Sequence, residues 1–229
     1  MNMKTKQIRN DCIYSKVYPL KSGNEKIGIN TLVLNFSIYS DCPSRLKGYC
    51  NISKYCYARK FEYLYKDHFL KYNTEHNKFI NENSPEKLLN YLIDFIDSCY
   101  IERKIKIKYL RINEYGDFRN KSDINKVNHI SSALNSLYGI KTYSYTKRKD
   151  LLNELKKALF IINFSEKQYK GLNCFKTIDI SGFKALYNQN YKALCFGDCK
   201  KCNLCKVKQD QIIYEILRKT GKDKIQNLI

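Results

Sequence analysis

Seven of the ten cysteines fall in two tight groups, and cysteines so spaced are metal ligands before they are anything else. The first group, Cys42-x7-Cys50-x5-Cys56, puts three thiols on one stretch of loop-like sequence. Three thiolates on a loop suit a [4Fe-4S] cluster with one iron left without a protein ligand. The plainer alternative is a zinc site completed by one more Cys or His. The spacing lacks the C-x2-C pairs of a zinc ribbon, and the corners of a cubane lie far enough apart for a wide loop to span them. The second group, Cys195-x3-Cys199-x2-Cys202-x2-Cys205, is close to the reverse of the ferredoxin run C-x2-C-x2-C-x3-C. It can close a structural zinc site or a second cluster, or lend one thiol to the first site. None of the three histidines, His68, His76 and His129, flanks either group. Structural metal binding contributes on the order of 10 kcal/mol, as much as the roughly 5–15 kcal/mol that holds a whole domain folded. Stripping the metal is therefore expected to unfold at least the region around residues 195–205.

A third constellation is the acidic turn Asn113-Glu114-Tyr115-Gly116-Asp117-Phe118, which follows an alternating apolar run. Its plain reading is a turn in which Asp117 caps the following element. Its functional reading is a pair of carboxylates, Glu114 and Asp117, that orient a cofactor or substrate beside the cysteine loop.

The elements that must position these groups follow from hydrophobic period and punctuation. Strands are expected over 26–37, 104–112, 140–146 and 159–164, with a fifth over 174–180. The apolar run 158–162 reads as buried. Helices are expected over 57–72, from the Ser84-Pro85-Glu86 start through Cys99, from Ser122-Asp123 to Gly139, and over 150–157. The Asn-rich piece 73–83 reads as a loop, and Cys99 and Cys174 read as core residues. Alternation of strand and helix predicts an α/β fold with a parallel sheet, either a small doubly wound sheet or, with too few strands for a closed barrel, a partial, open β/α barrel. In such folds ligands sit beyond the carboxyl ends of the strands, where the cysteine loop and the acidic turn both fall. The expected organisation is an N-terminal arm (1–25, containing Cys12), an α/β core with the three-cysteine loop (26–190), and a cysteine-rich metal knot followed by a basic amphipathic helix (191–229).

The chain carries 42 Lys+Arg against 22 Asp+Glu, a formal charge of +20. That charge favours polyanions, nucleic acid above all, and Phe and Tyr interleaved with Lys could stack bases. An AT-rich coding sequence yields the same excess of Lys, Asn, Ile and Tyr without selection for binding. No apolar leader follows Met1 and no run reaches membrane-span length. A cytoplasmic metalloprotein is thus expected rather than a secreted disulfide scaffold or a membrane protein.

Two resemblances add to this. The order strand, three-cysteine loop, helix, strand, acidic turn resembles radical S-adenosylmethionine enzymes. There the cysteines bind a [4Fe-4S] cluster whose open iron takes the methionine amino and carboxylate groups, and reductive cleavage to a radical follows. The spacing departs from that family's C-x3-C-x2-C, and the turn has no Gly-Gly-Glu. By this resemblance Gly116 and Tyr57 become cofactor-binding candidates. A closer resemblance is to a phage and plasmid family named after mycobacteriophage gene product eighty-eight. It is carried by Cys42-Pro43, Cys50, Cys56-Tyr57-Ala58-Arg59, the run from Leu110 to Phe118, Tyr143-Ser144-Tyr145-Thr146 and the terminal cysteines. It implies a cysteine-ligated, iron–sulfur protein of unassigned activity in the cytoplasm of the host cell. Two readings stand: an iron–sulfur protein with radical S-adenosylmethionine-like or redox chemistry, and a nucleic-acid-binding module stapled by zinc or Fe-S without catalysis.

Overall fold

The computed structural model describes residues 20–24, 26–209 and 211–217. Cys12, most of the expected arm and residues 218–229 lie outside the described residues. Among those described, eight strands form one sheet: β1 (Lys21–Ser22), β2 (Thr31–Leu34), β3 (Tyr109–Ile112), β4 (Lys141–Thr146), β5 (Ile161–Ser165), β6 (Asn173–Ile178), β7 (Leu194–Cys195) and β8 (Ile212–Ile216). The order is β1-β2-β3-β4-β5-β6-β8-β7, and the two ends do not meet. β1 runs antiparallel to β2, and every other neighbouring pair is parallel. The α/β class with a largely parallel sheet is thus observed.

Among the described residues seven α-helices join these strands: α1 (Pro43–Leu46), α2 (Tyr57–Leu64), α3 (Lys66–Glu82), α4 (Pro85–Arg103), α5 (Lys121–Tyr138), α6 (Leu152–Lys156) and α7 (Ile180–Asn188). Ser84 caps α4 by accepting from the Lys87 N–H, with Pro85 at the first helical position. Gly139, at φ +66°, ends α5 as its position in the sequence predicts. The start of α5 is set by Asn120, whose side chain accepts from the Asp123 N–H, rather than by Ser122.

Alternation along the strands gives the sheet two unlike faces. Leu32, Leu34 and Phe36 from β2 and its extension, Leu110 and Ile112 from β3, and Ile162 and Phe164 from β5 join one apolar core. Against them pack Leu88, Leu92, Ile96 and Cys99 of α4 and Ile124, Val127, Ile130 and Leu134 of α5. Cys99 is fully buried and Cys174 nearly so, the core positions expected of them. The opposite face carries Tyr109 and Arg111 on β3, Tyr143 and Tyr145 on β4, Asn163 on β5 and Asn173 on β6. It is covered by the second cysteine group rather than by a helix.

Several expectations are corrected. The helix from Tyr57 breaks at Tyr65 and resumes as α3 through the Asn-rich piece expected as a loop. The run at 158–162 is not uniformly buried: Leu159 is 66% exposed, and β5 starts only at Ile161. α7 was not foreseen. Ile212–Ile216, expected in a basic helix, is a strand inserted between β6 and β7. Ile212, Ile213 and Ile216 fit either period, and three β-branched residues in five favour the strand once a sheet edge is available. At the other end Lys21–Ser22, assigned to the arm, forms an edge strand on β2. No helix among the described residues is long and apolar enough to cross a membrane.

Candidate metal centre

Beyond Leu34 the β2 chain runs on beside the turn that follows β3, and the two are joined through their side-chain amides. The Phe36 N–H donates to Asn113 Oδ1 (3.0 Å), and the Glu114 N–H donates to Asn35 Oδ1 (2.7 Å). Ser37 continues the join, its Oγ accepting from the Asp117 N–H and donating to the Asp117 carbonyl, both at 2.7 Å. Gly116 lies directly against Ser37 at φ +74°, and a Cβ built there would overlap the Ser37 carbonyl oxygen. Only glycine allows this approach.

The three-cysteine loop leaves from this join. Cys42 stands immediately before α1 and Cys56 immediately before α2, so peptide N–H groups that helices leave unpaired face their sulfurs. The N–H groups of Ser44 and Arg45 reach Cys42, that of Ile52 reaches Cys50, and those of Ala58 and Arg59 reach Cys56. Burial opposes ionisation. It pushes the Cys42 thiol up to about 12, helped by the Asp117 carboxylate, and raises Cys50 and Cys56 as well. Lys147 pulls both of the latter back down. Cys50 lies within electrostatic reach of both Cys42 and Cys56. All nine described cysteines are free thiols.

Asp117 fixes the loop to the sheet. It is buried, and its carboxylate accepts from Ser44 Oγ (2.7 Å) in α1, Thr146 Oγ1 (2.7 Å) at the end of β4, the Lys147 N–H (3.0 Å) and the Phe118 N–H (2.8 Å). Burial raises its pKa against the pull of these donors. Its four bonds make it a fixed anchor. Glu114 is likewise engaged, pairing with Lys21 Nζ of β1 at 2.5 Å and accepting from Asn24 Nδ2 at 2.6 Å. The Tyr57 hydroxyl donates to the Glu114 carbonyl at 2.5 Å, tying α2 to the turn, and burial of the hydroxyl end raises its pKa. Glu114, Gly116, Asp117 and Tyr57 are therefore gathered with the first cysteine group beyond the ends of β2 and β3.

The second group lies elsewhere, across the polar sheet face. Cys195, Cys199, Cys202 and Cys205 line one small cavity of about 20 Å³ with Arg111, Tyr143, Tyr145 and Lys206, room for about one water-sized atom. The segment is fastened by Asn163 Nδ2 to the Cys205 carbonyl (3.0 Å), Asn173 Nδ2 to the Val207 carbonyl (2.8 Å) and the Tyr109 hydroxyl to Asn203 Oδ1 (3.2 Å). The Tyr145 hydroxyl donates to the Cys205 thiol; burial nonetheless raises Cys205 to about 12. Among the described residues, no three His, Cys, Asp or Glu side chains are drawn together into a ready-made ion cage. Of the expected ligands, then, the three and the four form two separate neighbourhoods of sulfurs free of disulfides, half-buried except for the buried Cys195.

In donor type alone, four sulfurs suit a zinc ion and three suit a cluster with an open iron. Seven sulfurs are free of disulfides, and peptide N–H groups or a tyrosine directed at several of them offset part of the burial that opposes the thiolate form metals require. Sequence reading missed Ser44, Asn35, Asn113 and Arg111, which position or line these sites. Arg111 alone was signalled, as a charged residue alternating with apolar Leu110 and Ile112 in a strand.

Neither the curated proteins nor the solved structures contain a match to this chain. A family model described as Gene product 88 matches residues 5–167. The match takes in the first cysteine group, the acidic turn and β2 to β5, and stops short of the second group that the terminal part of the resemblance included. The chain belongs to the Gene product 88 family.

Proposed function

We propose that this protein binds a [4Fe-4S] cluster through Cys42, Cys50 and Cys56, in a partial β/α barrel with radical S-adenosylmethionine-like or redox chemistry. The carrying observation is the placement of three half-buried sulfurs, each met by peptide N–H groups, on a loop anchored by Asp117 beyond the ends of β2 and β3. The sequential parallel order of β2 to β6 suits an open barrel. When bound, such a cluster supplies electrons one at a time and an open coordination position for an amino acid-like ligand such as S-adenosylmethionine. The chain's own residues hold the loop: Asp117 fixes α1, Tyr57 fixes α2, and Gly116 lets the turn close onto Ser37. Lys147, placed near Cys50 and Cys56, offsets thiolate charge. Glu114 has the chemistry to meet an ammonium group, but only once the Lys21 ammonium that its carboxylate holds is displaced. The test is electron paramagnetic resonance of anaerobically purified, dithionite-reduced protein. A cluster signal that S-adenosylmethionine perturbs supports the reading, and a sample with no cluster signal refutes it.

A second reading rests on α2. Tyr57, Phe61, Tyr63 and Tyr65 are about half exposed or more, with Lys54, Arg59, Lys60 and Lys66 around them. The one acid among them, Glu62, is spent on the backbone N–H groups of Tyr39 and Ser40. Exposed aromatics between cations suit single-stranded nucleic acid. Binding that weakens steeply with salt supports this use of the surface.

A further inference from the structure

Two cations on the polar sheet face, Lys206 buried and Arg111 partly so, have no carboxylate within ion-pair distance among the described residues. Arg111 projects from β3 with its guanidinium 5.2 Å over the Tyr145 ring; its Nε is buried and meets no acceptor. Its one hydrogen bond, to the Glu114 carbonyl, is long at 3.5 Å. Lys206 is 3% exposed, its Nζ 4.3 Å from the centre of the Tyr109 ring and bonded only to the Cys199 carbonyl, at 2.7 Å. The acids near them are otherwise placed. Glu114, which attracts Arg111 only from beyond ion-pair distance, pairs with Lys21, Glu215 pairs with Lys26, and Asp198, although it lines the same cavity, forms an ion pair with neither cation. A buried charge without a counter-charge costs several kcal/mol, so a chain that keeps two of them in one place points to a missing anion.

Both cations line the cavity of the four C-terminal cysteines. Four thiolates on one zinc ion of charge +2 leave a net charge of −2, and a cavity with room for about one atom suits a single ion rather than a cubane. We infer that Cys195, Cys199, Cys202 and Cys205 hold such an ion as the core of a dianionic tetrathiolate centre whose charge is neutralised by Arg111 and Lys206. This rests on the second group being metal-binding, and adds the charge state of the centre and the two residues that set it. Arg111 also lies between the centre and the Glu114 turn, so it places a fixed positive charge between the two cysteine neighbourhoods. Arg111 and Lys206 are positioning residues here: neither touches a reacting atom, and both act on the metal through charge.

The test uses the full chain, purified anaerobically, with zinc, iron and sulfide measured on the same sample to identify the core. Metal retention against a competing chelator is then compared across Arg111→Met, Lys206→Met, the double variant and the charge-keeping Arg111→Lys and Lys206→Arg. Loss of each charge is expected to weaken retention about 10–100-fold, the usual effect of removing an outer partner of a metal site. The charge-keeping variants should restore most of it, which a purely packing role would not produce. A double variant that holds the metal as tightly as the parent overturns the inference. If Arg111→Met fails to fold, Lys206→Met against Lys206→Arg decides the question by the same criterion. A parent protein whose metal content is unchanged by Cys199→Ser and Cys202→Ser together overturns the inference and the metal assignment of this group at once.

Discussion

At the scale of single residues, Asp117 does the most to join the parts of the first site. Its carboxylate serves four donors from three segments, and its removal leaves the Ser44 and Thr146 hydroxyls and the Lys147 N–H buried without acceptors. Hydrogen bonds to a charged group contribute about 1.5–3 kcal/mol each, less than additively. Asp117→Ala should therefore destabilise the protein by at least about 3 kcal/mol, read as a lower denaturation midpoint. Asp117→Asn, which keeps one acceptor, should cost less. If Asp117 were a catalytic acid and not an anchor, both variants would leave stability unchanged. Gly116→Ala tests the same join from the other side. The strain at φ +74° and the collision with Ser37 should cost about 1–3 kcal/mol and reduce metal in the first group, read as iron per chain.

Among the elements, the loop is clamped a second time. Arg148, buried at the end of β4, forms a double hydrogen bond with Asp150 (2.8 and 2.9 Å) and donates to the carbonyls of Phe118 and Arg119, while Lys47 of the cysteine loop reaches Asp150 at 3.0 Å. The Arg148 bond, with Lys47 behind it, holds the Asp150 carboxyl well below its usual range. A depressed carboxyl contributes stability that is present above its unfolded pKa and lost as pH falls through the folded one. The clamp should hold at neutral pH, begin to weaken as pH drops below about 4, and open only in stronger acid. Asp150→Asn should lose about 1 kcal/mol at pH 7, since solvent screens an exposed carboxylate, and show a weaker acid dependence than the parent. An unchanged acid profile would contradict this account of the clamp.

The same scale shows what was legible in the chain. Strands β3 to β6, the Ser84 cap, Gly139 and the core places of Cys99 and Cys174 follow from period and punctuation, because each is decided by neighbours in sequence. β8 did not, since Ile212, Ile213 and Ile216 take a strand only because β6 and β7 leave a slot. α3 overran its expected loop because Asn and Lys lower helix propensity only slightly, and Phe79 and Ile80 still bury on the core. The acidic turn was found as a motif, but the amide join by Asn35 and Asn113 pairs residues 78 apart and has no local signal.

For the whole molecule, the sheet separates two tasks. Its apolar face is covered by α4 and α5, and its polar face by a segment that few apolar side chains hold down. Metal removal with chelator and reductant should therefore raise hydrogen exchange first over residues 196–211 and β7, while β2 to β5 stay protected. Uniform loss of protection would mean that the cysteine segment is not a separately held cover. The charge of +20 bears on partners rather than on this architecture.

The central claim is that sulfurs of both groups grip inorganic centres, and iron, sulfide and zinc counted per chain on protein purified without oxygen test it most directly. The account predicts iron with matching sulfide in the parent. Replacing Cys42, Cys50 and Cys56 together with alanine should remove roughly half of that iron if the second group also holds a cluster, and nearly all of it if that group holds zinc. A parent protein with neither iron nor zinc, or a triple variant that keeps all its iron, would contradict it.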